Sequence, residues 1–162
     1  MDPSNRSGVG GPAAGAGPVR PRVLIADDNP QGAELLEAYL GDTEYDLRTA
    51  ADGEQTLRAV QEWRPDLILL DIMMPKISGF EVCKRLRADP ATRGIAILMV
   101  TALDQVSDVE RAVDAGTDDF LRKPINKTEL LLRVRCVLRS RQHKQELDRA
   151  LAYIEAVERG TP

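Results

Sequence analysis

Three short runs, VLIA at 23–26, LILL at 67–70 and ILMV at 97–100, are apolar at every position. A strand with one wet face alternates apolar and polar residues, so unbroken runs of this length suit central strands of a parallel sheet covered on both faces. Five segments bounded by turn residues read as strands in all: 22–26, 45–50, 66–70, 95–100 and 117–121. Between them apolar residues recur at helical spacing, as in Ala33, Leu36, Tyr39 and Leu40, in Thr56, Leu57, Val60 and Trp63, and in Phe80, Val82, Cys83 and Leu86. Strand and helix alternate along the chain, which predicts a doubly wound α/β fold.

At 162 residues and 43% hydrophobic, the chain has material for one core. Residues 1–21, MDPSNRSGVGGPAAGAGPVRP, offer neither periodicity nor bulk and are expected to form a disordered tail. They lack the basic start and apolar run of a signal peptide, and no apolar stretch approaches the ~20 residues of a membrane span. The expectation is a soluble, cytoplasmic protein without a membrane partner. Cys83 and Cys136 have no metal-ligand spacing and read as ordinary reduced thiols. A net charge of −4 gives no global argument for a nucleic-acid partner, and no direct DNA binding is expected.

In a doubly wound fold, ligands sit beyond the carboxyl ends of the strands, so the residues that follow each strand are the ones to read. They are Asp27 and Asp28 after the first, Asp71 after the third, Thr101 after the fourth and Lys123 after the fifth. Alone, the aspartate pair would read as a helix cap and a solvated neighbour, Thr101 as a turn cap and Lys123 as a surface charge. Brought to one pocket they mean something else. Two carboxylates ~4 Å apart repel by ~4 kcal/mol at an effective dielectric near 20, and a hard divalent cation with oxygen ligands offsets that cost. Mg2+ suits such a set, because it binds through one or two carboxylates and completes its shell with water and phosphate oxygens. A third carboxylate beside the metal, with a hydroxyl and an ammonium group near it, suggests phosphoryl transfer onto that carboxylate as an acyl phosphate.

These residues lie in VLIADDN, PDLILLDIMMPKISGFEVCKRLR, ILMVTALD and AGTDDFLRKPI, and in that order the segments resemble the CheY-like receiver domain of two-component response regulators over about residues 21–140. The resemblance implies a flavodoxin-like five-stranded parallel sheet of order 2-1-3-4-5. It implies Asp71 as phosphoacceptor, Asp28 and Asp71 as direct Mg2+ ligands, Asp27 acting through water and the Met73 carbonyl as a further ligand. Thr101 and Phe120 match the coupled switch pair, Lys123 the phosphate-binding lysine, and Lys123–Pro124 a cis peptide bond. Lys76, Ser78 and Thr117 depart from the usual pattern outside the chemistry. The partner implied is a histidine kinase or histidine phosphotransfer protein, and the protein is expected to be a switch with slow self-dephosphorylation and no other enzymatic activity. Met73 and Leu103, both bulky, would flank the approach of water. Within the family, the chain looks similar to receivers that precede diguanylate cyclase or other output domains, so a receiver module of a longer chain is the alternative.

Two rival readings share the architecture. A flavin-binding protein would need backbone N–H groups turned to a phosphate after the first strand, where this chain has two aspartates. A Mg2+-dependent phosphatase would need a general acid and a substrate pocket that the sequence does not supply. His143, in a polar stretch, has no assigned role. The last helix is expected to run beyond the receiver (22–140) through an extension, 141–162. Leu130, Leu131, Val134, Val137 and Leu138 pack on the sheet, RSRQHKQE at 139–146 is polar, and an apolar stripe returns at Leu147, Ala150, Leu151, Ile154 and Val157. That stripe reads as a coiled coil in a homodimer, or as a linker or docking helix for another, unknown protein.

Overall fold

The computed structural model describes residues 19–102 and 106–160. The elements in chain order are β1 (Arg22–Ala26), α1 (Pro30–Leu40), β2 (Asp46–Ala50), α2 (Gly53–Trp63), β3 (Leu67–Asp71), α3 (Gly79–Ala88), β4 (Ala96–Thr101), α4 (Val106–Ala115), β5 (Asp119–Arg122) and α5 (Lys127–Glu158). All strand pairs are parallel and the order is β2-β1-β3-β4-β5. This is the doubly wound arrangement expected. Residues 1–18 of the predicted tail lie outside the described residues, as does Leu103.

The three apolar runs are β1, β3 and β4, and their side chains divide between two cores because successive residues of a strand point to opposite faces. Leu24, Ala26, Ile68, Leu70, Ile97 and Met99 meet α2, α3 and α4 on one face. Val23, Ile25, Leu67, Leu69, Leu98 and Val100 meet Ala33, Leu36 and Leu40 of α1 and Leu130, Val134 and Val137 of α5 on the other. Each fully buried aliphatic side chain contributes ~1.5–3 kcal/mol, so the two faces together hold the sheet between its helices.

The helix starts follow from local chemistry. Asn29, Asp52, Ser78 and Asn126 are extended residues whose side chains accept from backbone N–H groups in the first turns of α1, α2, α3 and α5. Because Asn29 caps α1, neither Asp27 nor Asp28 is consumed as a cap. The α5 helix runs unbroken for 32 residues, about 48 Å at 1.5 Å per residue. Its apolar stripe is bare: Leu147 is 58% and Ile154 50% exposed. The segment 139–146 is less uniformly solvated than its composition suggests. Arg141 is half-buried, donating from Nε to the Gly94 carbonyl (2.7 Å) and from Nη1 to Asp66 Oδ1 (3.0 Å). The helix is therefore tied to the body one residue past the predicted boundary at 140.

Candidate functional site

Asp71 and Thr101 are the last residues of β3 and β4, so both strands end one residue later than the sequence pattern suggested. Register explains why they meet. Ala26 pairs with Leu70, which puts Asp27 level with Asp71, while Asp71 pairs with Val100 and Thr101 with Arg122. Asp27 N–H donates to the Ala50 carbonyl (3.1 Å) and Lys123 N–H to the Thr101 carbonyl (2.8 Å), carrying the ladder one step past the strand ends. The Lys123–Pro124 peptide is cis.

The carboxylates of Asp27, Asp28 and Asp71 offer oxygens that all lie within 4.8 Å of one another. Asp27 and Asp71 are buried and Asp28 is exposed, so the cluster opens to solvent on one side. One cation holds the buried pair together: Lys123 Nζ stands 3.2 Å from Asp71 Oδ2 and 3.4 Å from Asp27 Oδ2. Each buried carboxylate also accepts a backbone N–H on its other oxygen, from Asn29 to Asp27 Oδ1 (2.9 Å) and from Met73 to Asp71 Oδ1 (3.0 Å). Burial nevertheless raises the Asp71 carboxyl above its ordinary value, against the Met73 N–H and Lys123, and the Asp27 charge adds to the rise. Burial works to lower Lys123, but the Asp71 and Asp27 carboxylates outweigh it and hold the ammonium above its ordinary value. Three carboxylates against one ammonium leave the pocket strongly negative. Hard oxygen donors in excess of the positive charge are the chemistry of a divalent-cation site.

The remaining residues singled out in the sequence are placed as follows. Thr101 is fully buried. Phe120 is half-buried on β5 and packs against the core that holds α2, α3 and α4. Met73 is 61% exposed on the loop after β3, while Met74 beside it is buried. His143 is exposed on α5, 3.7 Å from Glu146, remote in the chain from the cluster.

Two glycines that sequence reasoning passed over shape the pocket. A Cβ on Gly79, the first residue of α3, would strike the backbone carbonyl of Asp71, and one on Gly32, in the first turn of α1, would strike the Asp27 carboxylate. The signal was a glycine within the first turn of a helix, where it costs helix stability and so needs a reason.

A family model described as the response regulator receiver domain matches residues 23–135. The chain is 45% identical over 119 residues to the DNA-binding dual master transcriptional regulator RpaA of Synechocystis, covering 74% of this chain and 49% of that protein. It is 44% identical over 121 residues to the DNA-binding response regulator MtrA of Mycolicibacterium smegmatis, covering 75% and 52%. The chain thus spans about half the length of these relatives. Among solved structures, the signal receiver domain of a signal transduction histidine kinase from Syntrophus aciditrophicus superposes with a TM-score of 0.70 at 33% identity, over 74% of this chain and 91% of that one.

Proposed function

This chain belongs to the response regulator receiver domain family, and on that premise we propose that it takes a phosphoryl group from the phosphohistidine of a histidine kinase or phosphotransfer protein onto Asp71. The observation that carries the assignment is the single cation shared by two buried carboxylates, Lys123 between Asp71 and Asp27, with Asp28 exposed at the rim. A carboxylate oxygen of Asp71 attacks phosphorus in line. The phosphorus–nitrogen bond breaks, its electron pair stays on the imidazole, and the acyl phosphate remains on Asp71.

The excess of carboxylates in this pocket fits Mg2+, with Asp28 and Asp71 as direct ligands, Asp27 acting through water and the Met73 carbonyl completing the protein's share. When bound, the ion neutralises charge on the incoming phosphoryl oxygens. The chain's own groups do the rest. Met73 N–H orients the Asp71 carboxylate from one side. Lys123, released from its ion pair with Asp71 once that carboxylate becomes an ester-like acyl phosphate, is free to follow the phosphoryl oxygens. Thr101 offers its hydroxyl to another, and Phe120, half-buried two residues before Arg122 of the neighbouring strand, moves with it as the second half of the switch.

The output reading is a change in the surface that includes β5 and α5, passed to the Leu147–Val157 stripe. Leu147, Leu151, Ile154 and Val157 are all about half exposed or more on one long helix, which supports a homodimer as the partner that covers them. Phosphorylation of the purified protein by acetyl phosphate, followed by intact mass, tests the central claim. One phosphoryl group per chain in the presence of Mg2+, absent from Asp71→Asn, is the expected result; equal labelling of that variant would defeat the assignment.

A further inference from the structure

Residues 130–145 carry Arg133, Arg135, Arg139, Arg141 and Lys144 and not one Asp or Glu, in a chain whose net charge is −4. The structure sorts these cations by use. Arg133 pairs with Asp119 and Glu129, and Arg141 with Asp66. Arg135, Arg139 and Lys144 are exposed and have no carboxylate within ion-pair distance among the described residues, and the same holds for Arg93 on the loop before β4.

Two of the unpaired cations, Arg93 and Lys144, meet in one place. Where α5 leaves the body, a basin of about 320 Å³ lies between the helix and the start of β4, at the opposite end of the sheet from Asp71. Its walls bring cations from three elements: Arg87 from α3, Arg93 from the β4 approach, and Arg141 with Lys144 from α5. Arg87 is held rigidly, with Nε donating to the Gly116 carbonyl, Nη1 to the Arg93 and Ile95 carbonyls and Nη2 to Asp118. Arg141 is held through Nε and Nη1, which leaves its Nη2 without a protein acceptor among the described residues. Arg93 and Lys144 need no other partner to be displaced. Arg87 is paired with Asp118 and Arg141 with Asp66, so Arg93 and Lys144 supply the basin's surplus positive charge, and Val137, Ala96 and Ile95 give it an apolar floor.

We propose that this basin binds a phosphorylated small molecule of about the size of a nucleoside monophosphate, its phosphate between Arg93, Lys144 and the free edge of Arg141 and its apolar part on the floor. The volume lies at the lower end of small-molecule sites, and Arg141, held by the Gly94 carbonyl and Asp66, presents its free edge at little entropic cost. A long polyanion is the poorer occupant. Glu146 and Asp148 lie two and four residues beyond Lys144 on the same helix, and the whole chain is acidic, so a continuous phosphate track has nowhere to run. A ligand here would join the last anchored turn of α5 to α3 and β4, and so stiffen the root of the exposed stripe. The site is independent of the phosphoacceptor reading.

Cys136 lines the basin and is exposed, while Cys83 is buried, so thiol alkylation reads occupancy with an internal control. Calorimetric titration of the full chain at low ionic strength with adenosine 5′-monophosphate, adenosine and inorganic phosphate as separate arms should show binding of the nucleotide, with adenosine and phosphate each weaker by about tenfold. The nucleotide should slow alkylation of Cys136. Arg93→Ala and Lys144→Ala should each weaken it about tenfold, since each removes one charge-assisted contact. Arg139→Ala, on the other side of α5, and Asp71→Asn should leave binding unchanged. The proposal is overturned by any of three results: no heat and no protection of Cys136; affinity unmoved by Arg93→Ala and Lys144→Ala; or tighter, strongly salt-dependent binding of duplex DNA that Arg139→Ala weakens equally, which would give these cations to a polyanion.

Discussion

The two ends of the sheet treat charge in opposite ways. At the carboxyl ends of the strands, Asp27, Asp28 and Asp71 crowd within 4.8 Å of one another with one lysine between two of them. At the amino ends, Arg87 binds Asp118 and three carbonyls, Arg141 binds Asp66 and the Gly94 carbonyl, and Asp66 also accepts from Arg22 N–H. One end concentrates like charge. The other pairs opposite charge and so fastens loops to helices. The contrast teaches where stability has been traded for reactivity, because crowded carboxylates destabilise a fold until something positive arrives, whereas paired groups at the base stabilise it from the start.

The contrast is broken most completely by Asp71→Asn. Phosphoryl acceptance should be lost outright, while the metal-free variant should unfold at a higher urea concentration than the wild type at neutral pH. The sign follows from the raised Asp71 carboxyl: the folded state binds that proton more tightly than the unfolded chain, so metal-free wild-type stability falls as pH rises from the unfolded value through the folded one. The Asn variant should lack that fall, as parallel urea titrations at pH 4 to 7 would reveal. An identical pH profile in both proteins would remove the electrostatic strain from the site.

Arg87→Ala attacks the other end. It leaves three carbonyls without their donor and Asp118 with only the Ile97 N–H, and a loss of about 2 kcal/mol is expected in urea unfolding, with acetyl phosphate labelling of the folded fraction intact. Cys83 gives a second readout. Burial, with Asp118 against Arg87, pushes its thiol up to about 11, and it donates to the Ala115 carbonyl, so it reacts only when α3 and α4 part. Faster alkylation of Cys83 in the variant would locate the loosening there.

Gly79→Ala should cost about 2 kcal/mol, since a methyl group there meets the Asp71 carbonyl and the α3 start must shift. Because the same shift moves the Asp71 backbone, labelling should slow as well; normal labelling with full stability would show that the helix start yields freely. The smallest effect is expected from deleting residues 145–162. The removed stripe is exposed along α5, so unfolding should change by less than about 0.5 kcal/mol, and sedimentation should shift toward monomer. A full-length protein that is already monomeric at high concentration would end the homodimer reading and leave the stripe to another partner.

Much of this molecule was legible in its sequence because the signals were local or periodic. Unbroken apolar runs identified the central strands, and the residues that follow them pointed to Asp27, Asp28, Asp71, Thr101 and Lys123. The misreadings were also local: strands β3 and β4 each extend one residue further, since a polar residue at a strand end keeps its ladder bonds when its side chain has a pocket to enter. What pattern could not reveal depended on distance in the chain. Gly79 under Asp71 and Arg141 reaching Asp66 across the base of the sheet are contacts between segments whose separation carries no periodic mark. The sequence by itself determined the alternation of strands and helices and the chemical inventory at the strand exits, because hydrophobic periodicity and turn chemistry act over a few residues. Tertiary structure alone decided which oxygens share Lys123, and how far α5 stays tied to the body before its apolar stripe runs free. Those outcomes hang on strand register and on side chains meeting in space, where a shift of one residue would turn each group to the opposite face.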